Sequence, residues 1–209
     1  MTVSRFPDAP PQIMALPVEA RGYPVPFFVS WIDGEPEFRA VDPRKVEHAH
    51  RQKLCWICGR TFTGAVRAFP IGPMCAVNRV AAEPPAHPDC ARFAVTACPF
   101  LSKPMAKRRP MADGVAPAGI MIERNPGVTL IWHCRHYRAE RHDGGWLFRI
   151  GTPHRLEWFA EGRAATRAEV MASIESGEPI LRRYAQVEGP DAVAQFEGML
   201  ERALRLVPS

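Results

Sequence analysis

Two short residue pairs constrain this chain more tightly than anything else in it. Cys55-x-x-Cys58 runs straight into Gly59-Arg60, and His87-x-x-Cys90 follows beyond a stretch broken by Pro70, Pro73, Pro84 and Pro85. Two intervening residues let both members of a pair reach one point, so the two pairs offer four convergent donors. Three thiolates and an imidazole suit a borderline-soft, tetrahedral cation, and the pattern predicts zinc held by Cys55, Cys58, His87 and Cys90. Four protein ligands leave no position for water. The expected site is therefore structural, joining two segments and adding to folding stability. Cys75 is an alternative to His87 and would make a four-thiolate site. Cys98 falls outside, because a continuous helix would carry it roughly 12 Å from Cys90.

Local signals around the pairs predict how they are presented. Gly59-Arg60 reads as the turn of a knuckle that aims backbone amides at the first two sulfurs. Thr61–Thr63 and Val66–Phe69 are expected to form a hairpin around Gly64, and Met74–Val80 a short helix or a loop. Glu83–Ala86 is extended, since a residue before proline avoids the helical region. Pro88 at a first helical position and Asp89 in the first turn then open a helix over 88–98, with Cys90 near its positive end. Pro99 stops it. A knuckle on a hairpin, followed by two ligands at a helix start, resembles the treble-clef class of zinc modules. The resemblance implies that the proline-rich segment between the pairs loops out.

The rest of the chain predicts an α+β protein: the treble-clef-like zinc module plus an antiparallel β-meander with C-terminal helices. Residues 1–26, punctuated by Pro7, Pro10, Pro11, Pro17, Pro24 and Pro26, form a proline-rich arm, either disordered or laid across the body. Residues 27–102 make a zinc-stapled α+β region that begins with a hairpin turned at Asp33-Gly34. Asp42-Pro43 starts a helix over 43–52. Residues 103–114 read as a basic linker. Residues 115–209 hold the meander and helices, and the two larger regions could form one continuous domain. The strands expected are 119–123, 128–137, 146–150 and 155–159, with Asp143-Gly144-Gly145 as a turn. In the second, Leu130, Trp132 and Cys134 share a buried face while His133, Arg135 and Tyr137 point outward. Thr166-x-x-Glu169 is a capping box opening a helix that Ser176–Pro179 ends, a second helix follows, and Gly189-Pro190 opens the last.

No apolar run approaches the roughly 18–20 residues that span a bilayer, and the first residues lack the continuous apolar core of a signal peptide. A cytoplasmic protein with reduced thiols is expected, so the 6 cysteines read as ligands and buried thiols rather than disulfides. A net charge of +5 permits a polyanionic partner without requiring one.

Phosphate contacts with DNA or RNA would come from basic segments: Arg44, Lys45, Arg51 and Lys53 on the helix at 43–52 and just past it, Lys103, Lys107, Arg108 and Arg109 in the linker, and Arg135, Arg138 and Arg141 in the meander. The segments from Ile71 to Leu101 and from Trp158 to Val170 resemble a set of uncharacterised small bacterial and phage proteins, over most of the chain from Trp31 onward. That resemblance implies a phage or mobile-element setting and brings no catalytic residue. The function expected is a zinc-stabilised binding protein for nucleic acid or a nucleic-acid-handling complex. The alternatives are a protein-interaction or inhibitor module, with a protein partner and no nucleic acid, and an enzyme. An enzyme would use Cys75 as nucleophile with Arg79 lowering its pKa, or a nuclease-like site built on Asn78 and His87. No catalytic residue is assigned.

Overall fold

The computed structural model describes residues 4–103, 125–142 and 145–209. Its arm lies across the body: a short helix α1 (Pro11–Met14) buries Ile13 to 1% exposure among the residues around the paired cysteines. Phe6 meets Phe93 edge-on with ring centroids 5.3 Å apart. The expected hairpin follows as β1 (Val29–Ile32) and β2 (Glu35–Val41), turned by Asp33 and Gly34 at positive φ. Helix α2 (Pro43–Arg51) starts as its sequence predicts, with the Asp42 carboxylate accepting from the Arg44 N–H at 3.0 Å.

Next come β3 (Arg67–Ile71), α3 (Pro73–Asn78), β4 (Val80–Ala81), α4 (Pro88–Ala97) and α5 (Pro99–Ser102). After residues outside the described set come β5 (Val128–Cys134), β6 (Tyr137–His142), β7 (Gly145–Ile150), β8 (Pro153–Ala160), β9 (Arg163–Ala164), α6 (Arg167–Glu188) and α7 (Pro190–Leu204). Mixed helices and antiparallel sheets make the fold α+β. One sheet has the order β3-β5-β8-β9 and another the order β4-β7-β6. Both draw strands from before and after the linker. The linker itself from 104 onward and the strand expected at 119–123 lie outside the described residues.

Four expectations change, each for a packing reason. The hairpin around Gly64 does not form: Thr61 bridges back to Leu54, and β3 pairs with β5, where Ala68, Phe69 and Ile71 are buried. The proline-rich insertion does not loop out. It contributes α3 and β4 to the core and buries Pro84 and Pro85. The strands after the linker do not make one meander, because β5 lies between β3 and β8 while β6 and β7 pair in the other sheet. Strand β5 is buried at every residue, His133 included, and such a strand belongs at a sheet centre; β6 and β7 carry exposed Arg138, Arg141 and Arg149, which need a solvent face. Finally, α6 runs unbroken through Pro179. Pro179 and Glu175 are exposed, so water can serve the carbonyl that proline leaves without a donor. Ile174 before it and Ala185 after it are buried in the same core.

The β3-β5-β8-β9 sheet divides two cores. On one side Leu130, Trp132 and Cys134 pack with Phe69, Phe148 and the helices α3, α6 and α7; on the other Ile131 packs with Ala91 and Val95 of α4, the paired cysteines and the arm. Ile13 joins the arm to that second core. Ile13→Ala should lower stability by about 2–5 kcal/mol in urea denaturation, and an unchanged midpoint would show that the arm is not docked in solution.

Candidate metal centre

The chain between Leu54 and Thr61 closes on itself. The Cys55 N–H donates to the Arg60 carbonyl at 2.8 Å, and the Gly59 N–H to the Cys55 carbonyl at 2.7 Å. Gly59 holds φ at +71°, and a Cβ there would come 2.8 Å from the Phe27 ring, so both conformation and space require glycine. The amides of Cys58 and Arg60 donate to the sulfurs of Cys55 and Cys58, as expected of a knuckle.

The second pair reaches this loop through β3. Ala68 and Ala86 exchange backbone hydrogen bonds of 2.9 and 2.8 Å, so the residue after Ala86 emerges at the knuckle. His87 is the N-cap of α4 and Cys90 lies in its first turn, where the helix dipole favours a thiolate. The donor atoms of Cys55, Cys58, His87 and Cys90 all lie within 4.8 Å of one another. His87 Nδ1 is 3.4 Å from Cys58 Sγ and 3.8 Å from Cys90 Sγ. Ligands about 2.0–2.3 Å from a tetrahedral ion stand about 3.5–3.8 Å apart, so the cluster is compatible with a single metal ion. His87 Nε2 is 3.1 Å from the Thr61 carbonyl, which accepts its proton and leaves Nδ1 to face the sulfurs.

Within the cluster, hydrogen bonds from Cys55 and Cys90 bring the Cys58 thiol well below its usual range. Burial pushes Cys55 up to about 11, and donation toward Cys55 and Cys58 raises Cys90. A cation seated among the sulfurs would displace their protons. No local signal marks Gln12, whose Nε2 donates to Cys90 Sγ at 3.6 Å from 78 residues away. Thr61 and Phe62 were equally silent; the Phe62 ring lies edge-on to His87 at 5.0 Å.

Cys75 is half-buried in α3 against the other core, and the cluster uses His87. Cys98 caps α4 outside the cluster. All 6 cysteines are free thiols. For the enzymatic alternatives, the Arg79 guanidinium lies 5.5 Å from the Trp132 ring centroid, and the Asn78 side chain accepts from the Val80 N–H at 3.0 Å.

The basic candidates part company. Arg44 is paired with Asp42 at 3.1 Å, Arg51 with Glu47 at 2.8 Å, and Lys45 donates to the Val29 carbonyl at 2.7 Å. Lys53, Lys103, Arg135, Arg138 and Arg141 are exposed, while Lys107, Arg108 and Arg109 lie outside the described residues. Lys53 and Arg135 line one cleft, together with Arg67 and His136, which sequence reading passed over. Among the described residues no helix is long and apolar enough to cross a membrane. Comparison with protein-family models, curated proteins and solved structures finds no match to this chain.

A second polar cluster ties α4 to the sheet. Glu157 accepts two hydrogen bonds from Arg92 at 2.9 and 3.0 Å, one from Arg155 at 2.8 Å, and meets the buried His133 Nε2 at 2.7 Å. Burial opposes the charge on Glu157, but hydrogen bonds from Arg92 and His133 outweigh it and hold its pKa below the ordinary 4.5. Burial holds His133 below its ordinary 6.5 despite Glu157. Both shifts have one consequence. Below pH 6.5 the unfolded chain protonates His133 more readily than the folded one, and below 4.5 the same holds for Glu157, so stability falls with acid in both windows. Urea midpoints should drop between pH 7.5 and 5.5 and again toward pH 4. Glu157→Gln should cost roughly 1–3 kcal/mol at neutral pH and flatten the lower window; an unaltered acid profile would remove this network as the cause.

Proposed function

We propose that Cys55, Cys58, His87 and Cys90 hold one zinc ion as the closed, structural staple of a treble-clef-like module. The protein so stapled engages nucleic acid or a nucleic-acid-handling complex. The observation that carries the first part is the cluster itself: four donors, three of them buried, with the fourth oriented by Thr61 through its far nitrogen. Zinc bound there supplies cohesion and not a reactive water, because every tetrahedral position is taken by protein. Its ligands join the knuckle to the start of α4, and Gln12 brings the arm to the same point.

For the second part, support comes from Lys53 and Arg135, exposed cations in one cleft that have no carboxylate partner among the described residues, and from the exposed Arg138. Such side chains track phosphates by charge and spacing. A phage or mobile-element setting is supported by the sequence resemblance alone. Free cysteines suit a reducing, cytoplasmic compartment. A protein-interaction or inhibitor role is the second reading, favoured by Trp31, Ile32 and Val41, which stand 49%, 46% and 42% exposed on the β1–β2 hairpin.

Purified protein should carry one zinc per chain and unfold in chelator. His87→Cys should keep the metal and Cys58→Ser lose it, whereas a metal-free, fully folded chain would refute the staple. Binding of short DNA or RNA should weaken about 10- to 100-fold between 50 and 200 mM salt if about two to four phosphates are contacted. Absent binding at low salt, or binding indifferent to salt, would leave the protein-interaction reading.

A further inference from the structure

Beside the knuckle, Lys53, Arg67, Arg135, His136 and Tyr137 line a cavity of about 300 Å³. Among the described residues no carboxylate lines it. Elsewhere the fold commonly neutralises its arginines locally: Arg21 with Glu19, Arg92 with Glu157, Arg149 with Glu140, Arg163 with Glu169, Arg182 with Glu178. Lys53, Arg67 and Arg135 have no such partner among the described residues, although they converge from three separate segments. Convergent like charges repel, and an anion seated among them relieves that repulsion.

Arg67 is held in place by contacts other than an ion pair, and the backbone sets where Arg135 and Lys53 leave the chain. Arg67 opens β3 opposite Cys134, and its guanidinium stacks over Phe62 at 4.0 Å from the ring centroid. One of its terminal nitrogens, Nη1, donates to the carbonyls of Gly64 and Val66, leaving Nε and Nη2 without a hydrogen-bond partner among the described residues. Arg135 and His136 form the turn between β5 and β6, pinned where the Gly151 N–H donates to the His136 carbonyl at 3.1 Å. Lys53 sits just past the end of α2 with φ at +53°, a conformation that glycine or asparagine takes more easily. A lysine there keeps a charge at the cleft mouth at the expense of local backbone comfort.

We propose that this cleft is a phosphate-ester site, with Arg67, Arg135 and Lys53 sharing the phosphate oxygens. Guanidinium forks suit those oxygens, and lysine adds a point charge. The volume is at the small end for ligand sites, enough for a phosphate with an attached sugar. That the ester belongs to a nucleic-acid strand rests on the reading above; the anion site itself does not.

The test uses the full zinc-loaded chain with two probes, inorganic phosphate and a short single-stranded oligonucleotide, against chloride at equal ionic strength. Phosphate should raise the unfolding temperature beyond chloride. Lys53→Gly, which relieves the left-handed lysine and should keep or raise the unligated midpoint, and Arg135→Gln should each weaken phosphate about tenfold. They should weaken the oligonucleotide similarly and lower its salt slope by about one each. No phosphate effect beyond chloride, or one that survives both substitutions, overturns the site. Phosphate binding lost in both variants, with oligonucleotide binding unchanged, upholds the anion site and leaves the nucleic-acid reading to other cations. Phosphate binding lost in both variants, with no oligonucleotide binding by the native protein, upholds the site and assigns it to a small phosphate ester instead.

Discussion

Strand β5 is buried on both faces, and the positions of the other elements follow from that. Leu130, Trp132 and Cys134 on one face need apolar cover, which α3, α6 and α7 supply. Ile131 on the other is covered by α4. Burying a large side chain of this kind is worth about 1.5–3 kcal/mol, so two covered faces make this strand the main energetic link between the halves of the chain. The exception on it is His133, a polar group 3% exposed. A buried imidazole without a partner would be costly, and Glu157 on the neighbouring strand meets it. Arg92 on α4 and Arg155 then compensate the carboxylate. One inward histidine thus accounts for an ion-pair network that also fixes the helix to the sheet.

That helix carries half of the candidate metal centre. With α4 fastened by Ala91, Val95 and Arg92, its first turn is held at a set distance from β3. The Ala68–Ala86 exchange brings His87 to the knuckle. The cluster therefore lies where sheet, helix, arm and loop meet, and a staple there would restrain all four. A closed donor set would supply cohesion, and the function proposed above would place the working surface elsewhere. The basic cleft adjoins it through Arg67, Phe62 and His87, three side chains in consecutive contact. Loss of order at the centre would loosen the cleft wall.

The legible features were those whose physics is local. Asp42-Pro43, Pro88-Asp89, the Thr166–Glu169 box and Gly189-Pro190 start helices because capping and proline geometry act within one turn. The reading failed where local punctuation competed with long-range packing. Gly64 and Pro179 signal a turn and a break, yet β3 gains more by pairing with β5, and α6 by burying residues on both sides of its proline. Alternation along β5 suggested an exposed face, because a satisfied buried histidine looks in sequence like an outward one.

By itself the sequence narrowed the donors that could share a cation to Cys55, Cys58, Cys90 and either His87 or Cys75, since two-residue spacing and soft donor chemistry are properties of the chain, whatever its fold. It also determined where its main helices would start. Only the tertiary structure decided what surrounds those donors and which charges act together. Gln12 and Cys90, or Lys53, Arg67 and Arg135, become neighbours only after sheet pairing has closed long loops. Charge and hydrogen bonding depend on distance in space, and distance along the chain does not report it.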